Sequence, residues 1–189
     1  MFTKEERREL LAIARKAISD ALHGRTSTVQ IPPEGNLARP AGAFVTLRID
    51  GNLRGCIGYI QAPVALAEVI AEVAEKAALE DPRFSPLSLR ELEQTRIEIS
   101  VLSTLQRILD VNDIVVGKHG LLLELRHQRG LLLPQVAEEY GWDRETFLEN
   151  TARKAGLPRN GWKDPESIIY AFTAEIIQEE VYATRKENV

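Results

Sequence analysis

The residues best suited to chemistry surround Cys56, the only cysteine in the 189-residue chain. It lies in segment 53–58, which reads Leu-Arg-Gly-Cys-Ile-Gly. Glycine inside a strand costs about 0.5–1 kcal/mol relative to alanine, so two glycines beside a thiol predict that some group approaches the backbone closely. Side chains two residues apart on a strand share a face, which places Arg54 beside Cys56. A neighbouring cation favours the thiolate, the form of cysteine that attacks electrophiles and binds soft metals.

The thiol has two interpretations. Free cysteine is among the most buried residue types, so Cys56 can be a small core side chain. Alternatively, Cys56 is a nucleophile and His119 its general base, which requires the two side chains to be in hydrogen-bond contact. Nothing in the spacing of positions 56 and 119 shows that they meet.

Arg54 also has two interpretations. Its planar guanidinium can hold a carboxylate or phosphate, while Gly55 and Gly58 let that ligand come close to the backbone. It can equally form an ion pair with a residue of a neighbouring strand, such as Glu98. The two interpretations do not exclude each other.

Two further segments contribute candidates for ligand binding. Asp81 and Arg83, in a loop that also contains prolines, can clamp a local turn or form the wall of a ligand site. Lys118, in the Gly-Lys-His-Gly sequence of residues 117–120, can contact a phosphate, although the full phosphate-loop pattern is absent. The candidate ligand-binding residues are therefore Arg54, Gly55, Gly58, Asp81, Arg83, Glu98 and Lys118.

The elements that position these residues are predicted from apolar spacing and turn signals. Thr3 and Glu6 have capping-box spacing, and apolar residues then repeat at helical intervals, which predicts a helix up to Gly24. Residues 25–41, with prolines at 32, 33 and 40, predict an extended loop. Residues 43–49 and 53–60 predict a hairpin that turns at positions 50–52, so the cysteine motif falls on the returning strand.

A second helix is predicted to begin with Pro63 in its first turn and to end before Asp81 and Pro82. Its predicted buried stripe consists of Leu66, Val69, Ile70, Val73 and Ala77. Residues 96–102 alternate apolar and polar side chains, which predicts a strand with one polar face.

The second half of the chain predicts a hairpin over residues 121–133, a short helix from Val136 to Tyr140 and a longer helix capped by Asp143. Residues 167–181 predict a final strand or strand pair. Several antiparallel strands and about four helices indicate an α+β fold. We expect residues 1–189 to form one domain, with a larger and a smaller lobe.

Composition disfavours several classes of function. The formal net charge of −4 and pI near 5.5 give no general footprint for duplex nucleic acid. One cysteine cannot form an internal disulfide, and the first residues lack the apolar run of a signal peptide, so we expect a cytoplasmic protein that does not span a membrane. The three histidines, at positions 23, 119 and 127, show no metal-ligand spacing with Cys56. No intrinsic metal site is therefore expected, and no cofactor is indicated.

The chain resembles the AMMECR family over nearly its whole length. Six motifs carry the resemblance: residues 53–58, 81–84 (Asp-Pro-Arg-Phe), 97–102 (Ile-Glu-Ile-Ser-Val-Leu), 117–120, 133–137 (Leu-Pro-Gln-Val-Ala) and 141–143 (Gly-Trp-Asp). The resemblance implies an α+β fold of two lobes, with segment 53–58 near the cleft between them. It also implies the three-part AmmeMemoRadiSam system, in which relatives occur alongside a Memo-like protein of extradiol-dioxygenase ancestry and a radical SAM protein. No catalytic activity is settled for the family, and the second cysteine of many relatives is replaced here by the sequence around Thr151.

Three functions remain open from the sequence. The leading hypothesis is a protein that binds a small anionic molecule around segment 53–58, with cysteine-dependent chemistry as its sharper form. The alternative is a noncatalytic partner of the Memo-like or radical SAM protein. The third is RNA or nucleotide binding, which only scattered basic and aromatic residues in the second half suggest.

Overall fold

The computed structural model describes residues 1–30 and 34–179, which divide into two compact units. The helices are α1 Lys4–Leu22, α2 Leu66–Leu79, α3 Leu89–Gln94, α4 Pro134–Glu139 and α5 Arg144–Lys154. The strands are β1 Ala43–Ile49, β2 Asn52–Tyr59, β3 Arg96–Leu102, β4 Gln106–Ile108, β5 Gly120–Leu125, β6 Gln128–Leu132, β7 Ile168–Phe172 and β8 Ala174–Gln178. The predicted α+β fold is confirmed.

Unit 1 contains residues 1–101 together with 176–179, and its sheet has the strand order β2-β1-β3-β8. β1 pairs in antiparallel fashion with β2 on one side and with β3 on the other. The odd-numbered residues of β1 and β3, such as Val45 and Ile99, join α1 and α2 in the buried core. The even-numbered residues, such as Thr46, lie on the opposite face of the sheet because strand side chains alternate.

The hairpin that carries the cysteine motif is built as its sequence predicts. Asp50 and Gly51 both have positive φ angles, 51° and 80°, which a tight two-residue turn between right-handed twisted strands requires. The register of the β1–β2 pairing shifts once, between Leu47 and Arg48. Leu47 pairs with Gly55, whereas Arg48 pairs with Leu53. Arg54 is therefore an extra residue on β2 and has no partner on β1.

The predicted first helix is confirmed, whereas the predicted start of the second is wrong. Thr3 and Glu6 form a reciprocal capping box at the beginning of α1. α2 begins at Leu66 rather than near Pro63, because Ala65 forms a β-bridge with Pro40 and Leu66 donates its N–H to the Arg39 carbonyl. Those contacts hold the chain extended up to Ala65. The predicted buried stripe of α2 is confirmed.

Unit 2 contains residues 102–175, and its sheet has the strand order β4-β7-β5-β6 with antiparallel pairing throughout. α5 packs on this sheet through Phe147 and Leu148, and Asp143 caps it by accepting a hydrogen bond from the Thr146 N–H. The predicted hairpin over residues 121–133 is confirmed as β5 and β6. The final strand or strand pair predicted over residues 167–181 consists of two strands, β7 and β8, which do not pair with each other because β7 lies in the sheet of unit 2 and β8 in the sheet of unit 1. Residues 180 and 181 lie outside the described residues, as do Pro32 and Pro33.

Candidate functional site

Cys56 lies on an edge strand, and the loop after α2 covers its backbone. On one side of β2 the residue pairs with Thr46 of β1. On the other side, the Cys56 N–H donates to Asp81 Oδ2 at 2.8 Å, and Arg83 Nη2 donates to the Cys56 carbonyl at 3.3 Å. Two side chains thus satisfy the groups that a neighbouring strand would otherwise pair with, which protects this edge from strand addition.

Asp81 and Arg83 form a bidentate ion pair beside the thiol residue. Arg83 Nε donates to Asp81 Oδ1 at 2.9 Å, and Arg83 Nη2 donates to Asp81 Oδ2 at 2.7 Å. Asp81 is only 4% exposed. Hydrogen bonds from Arg83, and smaller contributions from the Cys56 and Arg83 N–H groups, outweigh burial and lower the pKa of Asp81 to about 2. These contacts are those of the predicted turn clamp.

The Cys56 residue is partly exposed and is not part of the buried core of unit 1. Its Sγ accepts a hydrogen bond from Thr46 Oγ1 at 3.3 Å, and Thr46 pairs across its other side with Glu98. Cys56, Thr46 and Glu98 therefore form a row across three strands, on the face of the sheet opposite the helices. This placement differs from that of a core cysteine.

Arg54 forms an ion pair with Glu91 of α3, not with Glu98 as predicted. Its Nε and Nη2 donate to the Glu91 carboxylate at 2.9 and 3.4 Å, and Nη2 also donates to the Pro86 carbonyl at 3.4 Å. Glu98 is on β3, which β1 separates from β2, so the two residues are not on neighbouring strands. Arg54, then Ser88, lowers the pKa of Glu91 to about 2.

The space beside Gly55 and Gly58 is filled by other parts of the same protein. A Cβ on Gly55 would lie 2.1 Å from the Ala77 carbonyl oxygen of α2, and one on Gly58 would lie 2.3 Å from the Phe44 ring. The predicted close approach to the backbone is present, but a helix and an aromatic ring make it. The suggestion that both glycines leave room for a ligand is corrected accordingly, because those positions are filled.

Phe84 belongs to this site and was missed by sequence reasoning. The guanidinium carbons of Arg54 and Arg83 lie 5.9 and 5.5 Å from its ring centroid, within the range of cation–π attraction. Glu91 was missed as well, because its capping box with Ser88 explains it locally and nothing in the sequence links it to Arg54. Thr46 could have been predicted as a neighbour of Cys56, since the hairpin turn fixes the register that places Thr46 opposite Cys56.

His119 and Lys118 lie in unit 2, whereas Cys56 lies in unit 1. His119 Nδ1 accepts a hydrogen bond from the Val115 N–H at 3.2 Å. Burial, and then the charge of Lys118, lowers the pKa of His119. The imidazole is therefore neutral near pH 7, while the Lys118 residue is exposed. Pairing of Cys56 with His119 remains a prediction.

Neither a metal-binding cluster nor a membrane-spanning helix occurs in the part of the chain that the structure describes. Within residues 1–30 and 34–179, no group of three or more His, Cys, Asp or Glu side chains is arranged to hold a metal ion. In the same part of the chain, no helix has both the length and the apolar character to cross a bilayer.

The fold and site define an α+β protein of two units with a single thiol on a sheet edge covered by an Asp–Arg pair. The AMMECR1 family model matches residues 11–177, and the chain belongs to that family. A Methanothermobacter thermautotrophicus protein is 43% identical over 187 residues, covering 94% of this chain and 96% of the relative. An Aquifex aeolicus protein is 39% identical over 179 residues, covering 91% and 92%. The crystal structure of an uncharacterised Pyrococcus horikoshii protein matches with a TM-score of 0.84 and 39% identity, covering 90% of each chain.

Proposed function

We propose that this AMMECR1-family protein binds a small anionic molecule beside Cys56, with Arg83 as the cation that holds it. One observation carries the proposal: the Arg83 side chain is 51% exposed and is fixed next to the partly exposed residue Cys56 by the buried carboxylate of Asp81. Arg83 Nη2 also donates to the Cys56 carbonyl at 3.3 Å, so the guanidinium lies beside that residue.

Arg83 is a better candidate for this role than Arg54. The Arg54 side chain is 14% exposed and already contacts Glu91 and Pro86. An incoming anion would have to displace Glu91 from a two-point contact. Arg83 needs no such exchange, because half of its side chain faces solvent while Asp81 holds it in position. Arg54 and Glu91 then support the wall of the site through Phe84.

Cysteine-dependent chemistry is the sharper form of the proposal. A thiol that is partly exposed, hydrogen-bonded to Thr46 and close to a guanidinium has the access and the neighbouring cation that a nucleophilic cysteine needs. An anionic electrophile held by Arg83 would then be the preferred reaction partner. A noncatalytic role as a partner of a Memo-like or radical SAM protein is the competing proposal, and it requires no selectivity for anions at Cys56.

The test compares alkylation of Cys56 by anionic iodoacetate and by neutral iodoacetamide. Each rate is divided by the rate for the unfolded protein, which removes the intrinsic difference between reagents. Because surface charge pairs contribute up to about 1 kcal/mol, Arg83→Gln is expected to lower the iodoacetate preference about three- to fivefold. Arg126→Gln is the matched control, since Arg126 is an exposed arginine of unit 2 paired with Glu166. An unchanged preference in Arg83→Gln would contradict the proposal.

A further inference from the structure

The geometry points to a singly charged carboxylate, rather than a phosphate, as the anion that binds at Arg83 through its Nη1 atom. This inference rests on the proposed function and specifies its ligand class. It follows from the hydrogen bonds that the guanidinium already makes and from the charges around it.

Most donors of Arg83 are already used. A guanidinium has five N–H groups, one on Nε and two on each Nη atom. Nε donates to Asp81 Oδ1 at 2.9 Å, while Nη2 donates to Asp81 Oδ2 at 2.7 Å and to the Cys56 carbonyl at 3.3 Å. Within the described part of the chain, Nη1 has no hydrogen-bond acceptor. Two N–H groups on a single nitrogen therefore remain for a ligand.

This remainder suits a carboxylate better than a phosphate. Bidentate recognition by arginine, of phosphates and carboxylates alike, uses the two-nitrogen fork, which Asp81 occupies here. A ligand is left with contact to one nitrogen, which offsets little of the charge of a phosphate but which one carboxylate oxygen can satisfy. The second oxygen of a carboxylate can face solvent, because half of the Arg83 side chain is exposed.

The local charge leads to the same conclusion. Two cations lie at the site, Arg83 and Arg54, and each is paired with a carboxylate, Asp81 and Glu91 respectively. The four groups together carry no net charge. A phosphate near pH 7 carries a charge between −1 and −2, and the cost of removing an anion from water rises with the square of its charge, so a monoanion is desolvated at lower cost than a phosphate. These four groups lack the surplus of positive charge that would offset the higher cost for phosphate.

An anion at Nη1 is expected to shield the thiol from reagents. Arg83 Nη2 donates to the carbonyl of Cys56 at 3.3 Å, so a ligand held by the same guanidinium lies beside the Cys56 residue. Protection of Cys56 from a neutral alkylating reagent therefore reports on binding at Arg83 without any assumption about a reaction.

The experiment measures alkylation of Cys56 by iodoacetamide with increasing propionate or inorganic phosphate, at an ionic strength held constant with sodium chloride. We expect propionate to slow alkylation at least about twofold at several hundred millimolar and phosphate to match the chloride control. Arg83→Gln is expected to abolish the propionate effect. Arg83→Lys, which keeps a cation in case the glutamine variant folds poorly, should retain part of it, and Arg126→Gln should retain all of it.

The outcomes separate this inference from the proposed function. Protection by phosphate equal to or greater than that by propionate would overturn the carboxylate assignment and leave anion binding at Arg83 intact. Propionate protection that persists in Arg83→Gln would overturn the assignment to Nη1. Failure of both anions to protect Cys56 would overturn the inference. If the preference of Cys56 for iodoacetate were also unchanged in Arg83→Gln, the proposed function would be overturned as well.

Discussion

The carboxylate of Asp81 accepts a hydrogen bond from the backbone N–H of Cys56 at 2.8 Å, across 25 positions of sequence. A side chain thereby occupies the place of a neighbouring β-strand at the edge of the sheet. The same carboxylate orients Arg83, so one buried group fixes both the backbone at the thiol and the cation beside it. This arrangement and three other features of the structure give predictions that can be measured without any ligand.

Replacement of Asp81 by asparagine is expected to destabilise unit 1 at neutral pH by about 2 kcal/mol. The folded pKa of Asp81 is about 2, below the ordinary value of 3.8, and one pKa unit corresponds to about 1.4 kcal/mol. The stabilisation is therefore complete above about pH 4 and is lost as the pH falls through about 2. Urea unfolding from pH 7 to pH 2 would show this decline in the parent protein and a smaller decline in Asp81→Asn. Glu166→Gln, at an exposed surface pair, is the control and should change stability by less than about 0.5 kcal/mol.

Replacement of Gly55 by alanine is expected to cost about 1–3 kcal/mol, because the added methyl group meets a backbone carbonyl that cannot move away easily. Gly161→Ala is a matched comparison in unit 2. Its added Cβ would lie 2.9 Å from the Leu157 Cβ, a milder overlap than the 2.1 Å approach to the Ala77 carbonyl oxygen at Gly55. Chemical denaturation of both variants should show the larger loss for Gly55→Ala. An equal or smaller loss would contradict the close packing of α2 on β2.

A double-mutant cycle distinguishes the two partners considered for Arg54. The variants Arg54→Gln and Glu91→Gln are expected to couple by about 0.5–1.5 kcal/mol, because they remove the two halves of one two-point ion pair. Arg54→Gln and Glu98→Gln are expected to be additive within about 0.5 kcal/mol. Unfolding free energies of the single and double variants give both couplings. Coupling to Glu98 in place of Glu91 would refute the structural assignment.

His119 is expected to titrate below its ordinary pKa of 6.5 and to be neutral at pH 7. Burial disfavours the imidazolium, and the Lys118 charge adds to that effect. Following the His119 ring signals by NMR between pH 4 and pH 8 measures the midpoint directly. Lys118→Gln should raise the midpoint, since it removes one of the two causes. A midpoint above 6.5 in the parent protein would contradict this environment.

Local signals made much of unit 1 predictable. The capping box at Thr3 and Glu6 set the start of α1, and the turn at positions 50–52 set the hairpin that presents Cys56. The start of α2 was not predicted correctly, because it depends on the bridge between Pro40 and Ala65. That bridge joins segments distant in sequence, and the spacing of apolar residues does not reveal it. Sequence periodicity reports on neighbours along one element, whereas this boundary depends on another part of the chain.

The candidate site was predictable in its residue types more than in its contacts. Arg54, Cys56, Asp81 and Arg83 were all named as candidates, but strand alternation suggested Glu98, rather than Glu91, as an ion-pair partner for Arg54. The register shift at Leu47 makes Arg54 an extra residue on its strand, and a single-residue shift of this kind cannot be read from composition. The link from Asp81 to the Cys56 N–H depends on where a loop packs, which only the three-dimensional structure supplies.

If Arg83 attracts anions to Cys56, the ratio of iodoacetate to iodoacetamide alkylation rates in the native protein measures that attraction directly. Because the chain has one cysteine, a single mass shift reports on a single site. We expect this ratio to exceed that of the unfolded protein, to fall with added salt and to lose its excess in Arg83→Gln. A native ratio equal to or below the unfolded one, with no change in Arg83→Gln, would contradict this expectation.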